Sequence, residues 1–219
     1  GRVIIEALRT MPEVINIKAA GTAMRFMTAY LSVTPGTHVL TGTERMKHRP
    51  IGILVDALRS LGATIEYVGE QGYPPLRITG STLEGGLLEI PGNVSSQYIS
   101  ALLMIGPMLK EGLTLRLLDN IISRPYIDLT LWMMNEFGAD AEWSSPDTIT
   151  VAHKPYKSRN YYIESDWSGA SYWYEMVALS KDKDAEIKLT GLMDGSMQGD
   201  STTRYILSLS GAKTTFETQ

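Results

Sequence analysis

The sequence predicts an α/β fold assembled from pseudo-threefold β-α-β-α-β-β repeats, with helices inside and sheets outside. Three periodic markers carry that prediction. Gly-Ala pairs close apolar, helix-like runs at Gly62-Ala63, Gly138-Ala139 and Gly211-Ala212, 76 and 73 residues apart. Arg-Pro pairs open the preceding helices at Arg49-Pro50 and Arg124-Pro125, 75 residues apart. Upstream helix starts fall at Gly21, Ser96 and Gly169, 75 and 73 residues apart. Chance supplies one such coincidence; three that share a period near 75 define a repeat. One copy cannot bury both its sheet and its helices, whereas three around a common axis can.

Each copy justifies its elements in the same order. A helix comes first, opened by small polar residues: GTAMRFMTAYL, SSQYISALLM and SGASYWYEMVAL. A short strand follows: THVLTG, LTLRLL and AEIKLTG. The next helix is one-faced; in the first copy Ile51, Leu54, Val55, Leu58 and Leu61 recur at helical spacing. Pro50 and Pro125 are expected in its first turn, where a missing N–H costs nothing. Gly62, Gly138 and Gly211 stand where a left-handed C-cap favours glycine. Further strands follow at TIEYV, LRITG and GLLEI, then at DAEWS, TITVA and YYIES, separated by turns at QGYPP and SSPD. The repeat units are expected at about 19–92, 93–165 and 166–219, the last incomplete, together making most of one globular domain. Arg2–Ile5 reads as a strand, and Lys213–Gln219 as an unfinished one. With Gly1 in place of an initiating methionine, the expectation is a piece of a longer polypeptide.

Composition narrows the functions. The 219 residues suit one large domain or two small ones. Hydrophobic residues at 43% and charged residues at 20% exclude disorder. A net charge of −4 argues against a nucleic-acid partner but leaves room for a local anion pocket. The absence of cysteine excludes disulfides, thiolate metal sites and a thiol nucleophile. No apolar run approaches the roughly 18 residues of a membrane span, and no segment reads as a signal peptide. His38, His48 and His153 lack metal-ligand spacing, and no P-loop, Rossmann or G-x-S-x-G pattern occurs.

The helix starts are the candidate site. Gly21-Thr22, Ser95-Ser96-Gln97, Ser123 and Ser168-Gly169 are small and mostly hydroxyl-bearing. Capping alone explains any one of them. Converging helix N-termini around a pseudo-threefold axis would instead gather free N–H groups and partial positive charge, which suits phosphate or carboxylate. Arg25, Arg49 and Arg124 lie near these starts, against the macrodipole, so each needs a reason to be there. Bidentate anion recognition is the sharp reading for Arg49 and a solvated side chain the plain one. Tyr126 can offer a phenol to a ring or pack in the core. Asp166, Asp194 and Asp200 read as caps.

Six segments in order resemble the signatures of the 5-enolpyruvylshikimate-3-phosphate (EPSP) synthase family. They are AAGTAMR at Ala19–Arg25, RMKHRPIGILVDALRSLGA from Arg45, NVSSQYISALLM from Asn93, SRPYIDLTL from Ser123, ESDWSGASY from Glu164 and SMQGD from Ser196. The resemblance implies an inside-out, barrel-like α/β fold and transfer of the enolpyruvyl group of phosphoenolpyruvate to the 5-hydroxyl of shikimate 3-phosphate. It implies no metal and no organic cofactor, two small-molecule substrates, no nucleic acid or membrane partner, a monomer when intact and a cytoplasmic location. By residue, it implies that Ser95 and Ser96 bind the phosphate and ring of shikimate 3-phosphate, that Ser123 binds the same phosphate and that Tyr126 packs on the ring. Gln97 reaches both substrates. Arg49 clamps phosphoenolpyruvate beside the Gly21 backbone, Thr22 is a further substrate-binding residue, and a side chain at Gly21 would crowd glyphosate. Asp166 matches a family acid near the domain crossover.

Three positions depart from the family pattern: Ala19 replaces an asparagine, Phe26 a proline and His48 an acidic residue. The family's N-terminal Lys-Ser-Arg cluster and its C-terminal acid and base residues have no counterpart here, so this chain alone is expected not to turn over. Two alternative readings are open at this point. The sister transferase acting on UDP-N-acetylglucosamine would carry a cysteine in the loop TGTERMKHRP, which has none. The other is a substrate-binding scaffold without chemistry of its own.

Overall fold

A computed structural model of the chain describes residues 2–217. It divides into two compact units, residues 1–158 and 159–219, each with its own core.

The first unit runs α1 (Arg2–Thr10), β1 (Val14–Asn16), α2 (Gly21–Ser32), β2 (Gly36–Thr41), α3 (Glu44–Lys47), α4 (Gly52–Ser60), β3 (Thr64–Tyr67), β4 (Leu76–Gly80), β5 (Gly86–Pro91), α5 (Ser96–Ile105), β6 (Leu113–Leu118), α6 (Arg124–Glu136), β7 (Ala141–Ser145) and β8 (Thr148–Val151). Its two sheets have the same plan, β1-β2-β4-β3 and β5-β6-β8-β7. In each, the first pair is parallel and the other two are antiparallel. The strands alternate faces: Leu76 and Ile78 of β4 are buried while Arg77 and Thr79 between them are exposed. Helices α2 and α5 pack on each other, with α4 and α6 beside them. Both are buried on most of their surface, including Met24, Met27 and Leu31 of α2 and Ile99, Leu102 and Leu103 of α5. A helix apolar all round belongs in the interior, so the helical layer is the inside of this unit.

Two recurring hydrogen-bond sets show the period in the backbone itself. Ile17 N–H donates to Thr41 O, Gly92 N–H to Leu118 O and Ser165 N–H to Gly191 O, each tying equivalent pairs of segments. At the three Gly-Ala pairs, Ala63, Ala139 and Ala212 donate to Leu58, Met134 and Leu207, five residues back, while Gly62, Gly138 and Gly211 donate to Arg59, Asn135 and Ser208. The three glycines have φ of +98°, +85° and +93°. This is the Schellman closure, and its positive φ disfavours any residue with a Cβ. Gly138→Ala is therefore expected to cost the first unit about 1 kcal/mol. Urea denaturation reads the difference, and an unchanged midpoint would contradict it.

Several sequence expectations are corrected. Arg2–Ile5 is not a strand but the start of α1: Ala7 is buried and Ile4 and Met11 pack on the core, one helical face that a short apolar run cannot distinguish from a strand. The basic stretch after Thr43 contains the one-turn helix α3. Pro50 lies ahead of α4 rather than in its first turn, because Ile51 is the N-cap and its N–H donates to Gly72 O. Pro125 does occupy the first turn of α6.

The second unit holds α7 (Trp167–Leu179) and α8 (Thr203–Ser208), around Trp167, Ala170, Tyr174 and Ala212. Helix α7 begins at Trp167, ahead of the expected Gly169, because the Asp166 carboxylate accepts from Ser168 N–H at 2.9 Å and caps it. The expected strands at 161–165, 185–191 and 213–217 form no ladder; residues 218 and 219 of the last lie outside the described residues. In both sheets of the first unit the fourth strand of a copy lies between the second and third. The segments equivalent to the directly paired β1 and β2 keep one such bond, Ser165 N–H to Gly191 O, and build no ladder on it.

Candidate functional site

The starts of α2 and α5 lie side by side. Gln97 Nε2 donates to Thr22 Oγ1 at 2.9 Å, joining equivalent positions of successive repeats. Ser95 is the N-cap of α5, and its hydroxyl accepts a long bond of 3.4 Å from Gln97 N–H. Helix α2 has Ala20 as its N-cap and no side-chain cap at all. The first N–H groups of a helix have no partner within it, so an uncapped start opening on Gly21 presents backbone donors to an oxyanion.

Arg49 completes this corner. It stands on the link between α3 and α4, and its guanidinium lies against the α-carbon of Gly21, so closely that a Cβ there would overlap Nη1. It makes no ion pair among the described residues. Gly21→Ala is expected to leave stability within about 0.5 kcal/mol, since the far end of an exposed side chain can move aside. The same substitution displaces the guanidinium and weakens phosphate binding severalfold. A phosphate titration of the folded variant that matched the parent would contradict this.

Beside the corner runs a groove of about 860 Å³. Thr22, Ser95, Ser96, Gln97 and Tyr126 line it, together with the apolar Phe26, Met104 and Met133. Tyr126 is 48% exposed, so it faces the groove rather than the core. Ser123, one turn earlier, is the N-cap of α6 but makes no capping bond with its side chain; it is not part of the groove lining. Tyr156 also lines the groove and donates to Met104 O at 2.9 Å; burial pushes its phenol well above the ordinary range, so it remains a donor.

The three candidate arginines separate. Arg124 is turned away: its guanidinium stacks over Trp143 at 3.9 Å and donates to Pro146 O at 3.1 Å. Arg25 is buried at 3% exposure and serves the backbone, donating to Gly21 O and Pro50 O. Of the three, Arg49 alone lies exposed against the start of α2. Sequence reading had no signal for Tyr98, whose hydroxyl donates to the same Pro50 O at 2.7 Å. The histidines are structural, each with Nδ1 against a backbone carbonyl: Pro12 for His38, Glu44 for His48 and Leu109 for His153.

The eight expected site residues offer hydroxyls, an amide, a phenol, a guanidinium and backbone N–H groups, and no carboxylate. They can hold and orient anions; proton transfer needs other groups. Fold and site together define an α/β protein in which hydroxyls, an amide and one guanidinium gather at neighbouring helix starts. The profile of one known family, EPSP synthase (3-phosphoshikimate 1-carboxyvinyltransferase), matches residues 3–219. The chain belongs to that family. It is 58% identical over 215 residues to the 3-phosphoshikimate 1-carboxyvinyltransferase of Bacteroides fragilis, covering 98% of this chain and 52% of that one. The Photobacterium profundum protein of the same name is 42% identical over 196 residues, covering 89% of this chain and 45% of that protein. An EPSP synthase structure from Acinetobacter baumannii superposes with a TM-score of 0.64 at 27% identity, covering 77% of this chain and 37% of that one. The chain thus has the family's inside-out α/β fold and spans about half the length of the curated relatives it matches. Among the described residues no helix is long and apolar enough to cross a membrane.

Proposed function

We propose that this chain supplies the substrate-holding part of an enolpyruvyl transferase acting on phosphoenolpyruvate and shikimate 3-phosphate. In the reaction the 5-hydroxyl of shikimate 3-phosphate gives its proton to a base as its oxygen bonds to C2 of phosphoenolpyruvate, while C3 takes a proton from an acid and becomes a methyl group. The tetrahedral adduct then loses a proton from that methyl group and inorganic phosphate from C2, leaving the enol ether. The observation that carries this reading is the corner where the Arg49 guanidinium lies on Gly21, next to the Gln97–Thr22 bond. It offers a bidentate cation and backbone donors to one anion, with hydroxyls within one residue for a second.

In this reading Arg49, Gly21 and Thr22 hold phosphoenolpyruvate. Ser95, Ser96 and Ser123 hold the phosphate and ring of shikimate 3-phosphate, Tyr126 lies on the ring, and Gln97 touches both substrates. The acid and base come from the family's remaining length, so this chain alone does not turn over. The three repeat units at about 19–92, 93–165 and 166–219, a cytoplasmic setting and a monomeric intact enzyme belong to the same proposal. The relatives at 42% and 58% identity carry the shikimate name and do not favour UDP-N-acetylglucosamine as acceptor.

Calorimetric titration of shikimate 3-phosphate into the chain tests the reading. Binding is expected to weaken roughly 10- to 100-fold for each hydroxyl lost in Ser95→Ala/Ser96→Ala, as hydrogen bonds to a charged group are lost. Equal binding by the folded double variant would remove the serines from the site.

A further inference from the structure

Arg25 is the least expected residue of the first unit's interior. It is a permanent cation at 3% exposure, and it has no carboxylate partner among the described residues. Burying such a charge is costly unless its hydrogen bonds are well met. They are met here by groups from separate segments. Nη1 donates to Gly21 O at 3.3 Å and to Met46 Sδ at 3.8 Å, Nη2 donates to Pro50 O at 2.9 Å, and the Tyr98 ring lies 5.5 Å away.

These partners bear directly on Arg49. A residue before proline is confined to extended conformations, and proline's own φ is locked. Once the Pro50 carbonyl is pinned by Arg25 and by Tyr98, little freedom remains in the backbone of Arg49. The other arm of the fork is bonded to the carbonyl of Gly21, the residue on which the Arg49 guanidinium lies. Two cations therefore flank Gly21, one at its carbonyl and one at its α-carbon, and neither is bonded to an acid among the described residues. Like charges so arranged repel, and an anion placed between Arg49 and the start of α2 relieves both.

We infer that Arg25 is a positioning residue for the anion seat: it fixes the Arg49–Pro50 link against the start of α2 and leaves a positive charge beneath the seat for a bound anion to neutralise. The inference rests on reading the Gly21–Arg49 corner as an anion seat.

The test is an NMR titration of the whole 219-residue chain with inorganic phosphate, and separately with phosphoenolpyruvate, following the Gly21 amide and the Arg49 Nε–H. Thermal melting is measured on the same samples. In the parent chain both resonances are expected to shift on titration. Arg25→Met removes the charge and the fork, and is expected to weaken phosphate binding in the folded population by at least tenfold. Arg25→Lys keeps charge and length but cannot bridge both carbonyls, and is expected to weaken it severalfold. If Arg25→Met does not fold, Arg25→Lys decides the matter. A merely structural arginine would lower the melting temperature and leave the affinity of the folded population unchanged, which would overturn the inference. If the parent shows no response to either anion, the seat itself fails and the role of Arg25 with it. Loss of shikimate 3-phosphate binding alone would strike only the serine side of the proposed function.

Discussion

Replacing Arg49 with alanine is expected to reduce kcat/KM for phosphoenolpyruvate by roughly 10²- to 10³-fold in the full-length context of the family. That is the loss typical of removing one preorganised group aimed at developing negative charge. The fold should be unaffected, because the Arg49 side chain is exposed and makes no ion pair among the described residues. Arg49→Lys should recover only part of the loss, since a point charge does not replace a planar fork on a carboxylate or phosphate. Affinity for shikimate 3-phosphate, carried by the start of α5, should change far less, and that split is the informative result. Direct titration of phosphoenolpyruvate into the chain gives the same comparison without turnover. Retention of its affinity within about threefold in Arg49→Ala would move the phosphoenolpyruvate seat elsewhere.

The sequence carried the periodic part of this architecture because the periodic features are local. A Schellman closure needs one glycine and the residue after it, so Gly62, Gly138 and Gly211 announced three helix ends that the backbone bonds repeat. The helix starts at Gly21 and Ser96 were readable for the same reason. What escaped depends on distant partners. Arg25, Arg49 and Arg124 look alike in sequence, each a cation near a helix start. Trp143 on β7 takes Arg124 out of the site, and Pro50 O takes Arg25 into the core, which no window around either arginine contains. The strands at 161–165, 185–191 and 213–217 were expected from their place in the repeat, but strand pairing is a property of neighbours, and these segments form no ladder. Thr22 and Gln97 were both expected at the site. That they bond to each other follows from the packing of α2 on α5, which only the repeat, and not either segment alone, brings about.

The second large effect is expected at Glu164, outside the predicted site. Burial pushes its carboxyl up, but bonds from Met193 N–H, Ser196 Oγ, Trp167 Nε1 and Gln198 Nε2 outweigh this and hold it below its ordinary value of 4.5. Gln198 extends the network, accepting from Trp167 N–H and donating to Ser165 O. Among the described residues the second unit buries only Trp167, Ala170, Tyr174 and Ala212 in its core, so a carboxylate with four donors accounts for much of its order. Glu164→Ala leaves all four unanswered and is expected to cost the unit about 3 kcal/mol. Glu164→Gln should also be damaging, because its amide turns an acceptor into a donor facing donors.

The pH dependence follows from the sign of the shift. A carboxyl with a depressed folded pKa contributes its full stabilisation above the unfolded value, near 4.5 here, and loses it as pH falls through the folded value. Protection of the Trp167 indole and the Met193 amide, the intrinsic exchange rate at each pH divided by the observed rate, should therefore be high and steady above pH 4.5 and fall below it. In Glu164→Gln protection should be low throughout, with that acid step gone. If Glu164→Ala kept the protection of both groups at neutral pH, or if the acid step survived in Glu164→Gln, the order of this unit would rest on its small apolar core and not on the carboxylate.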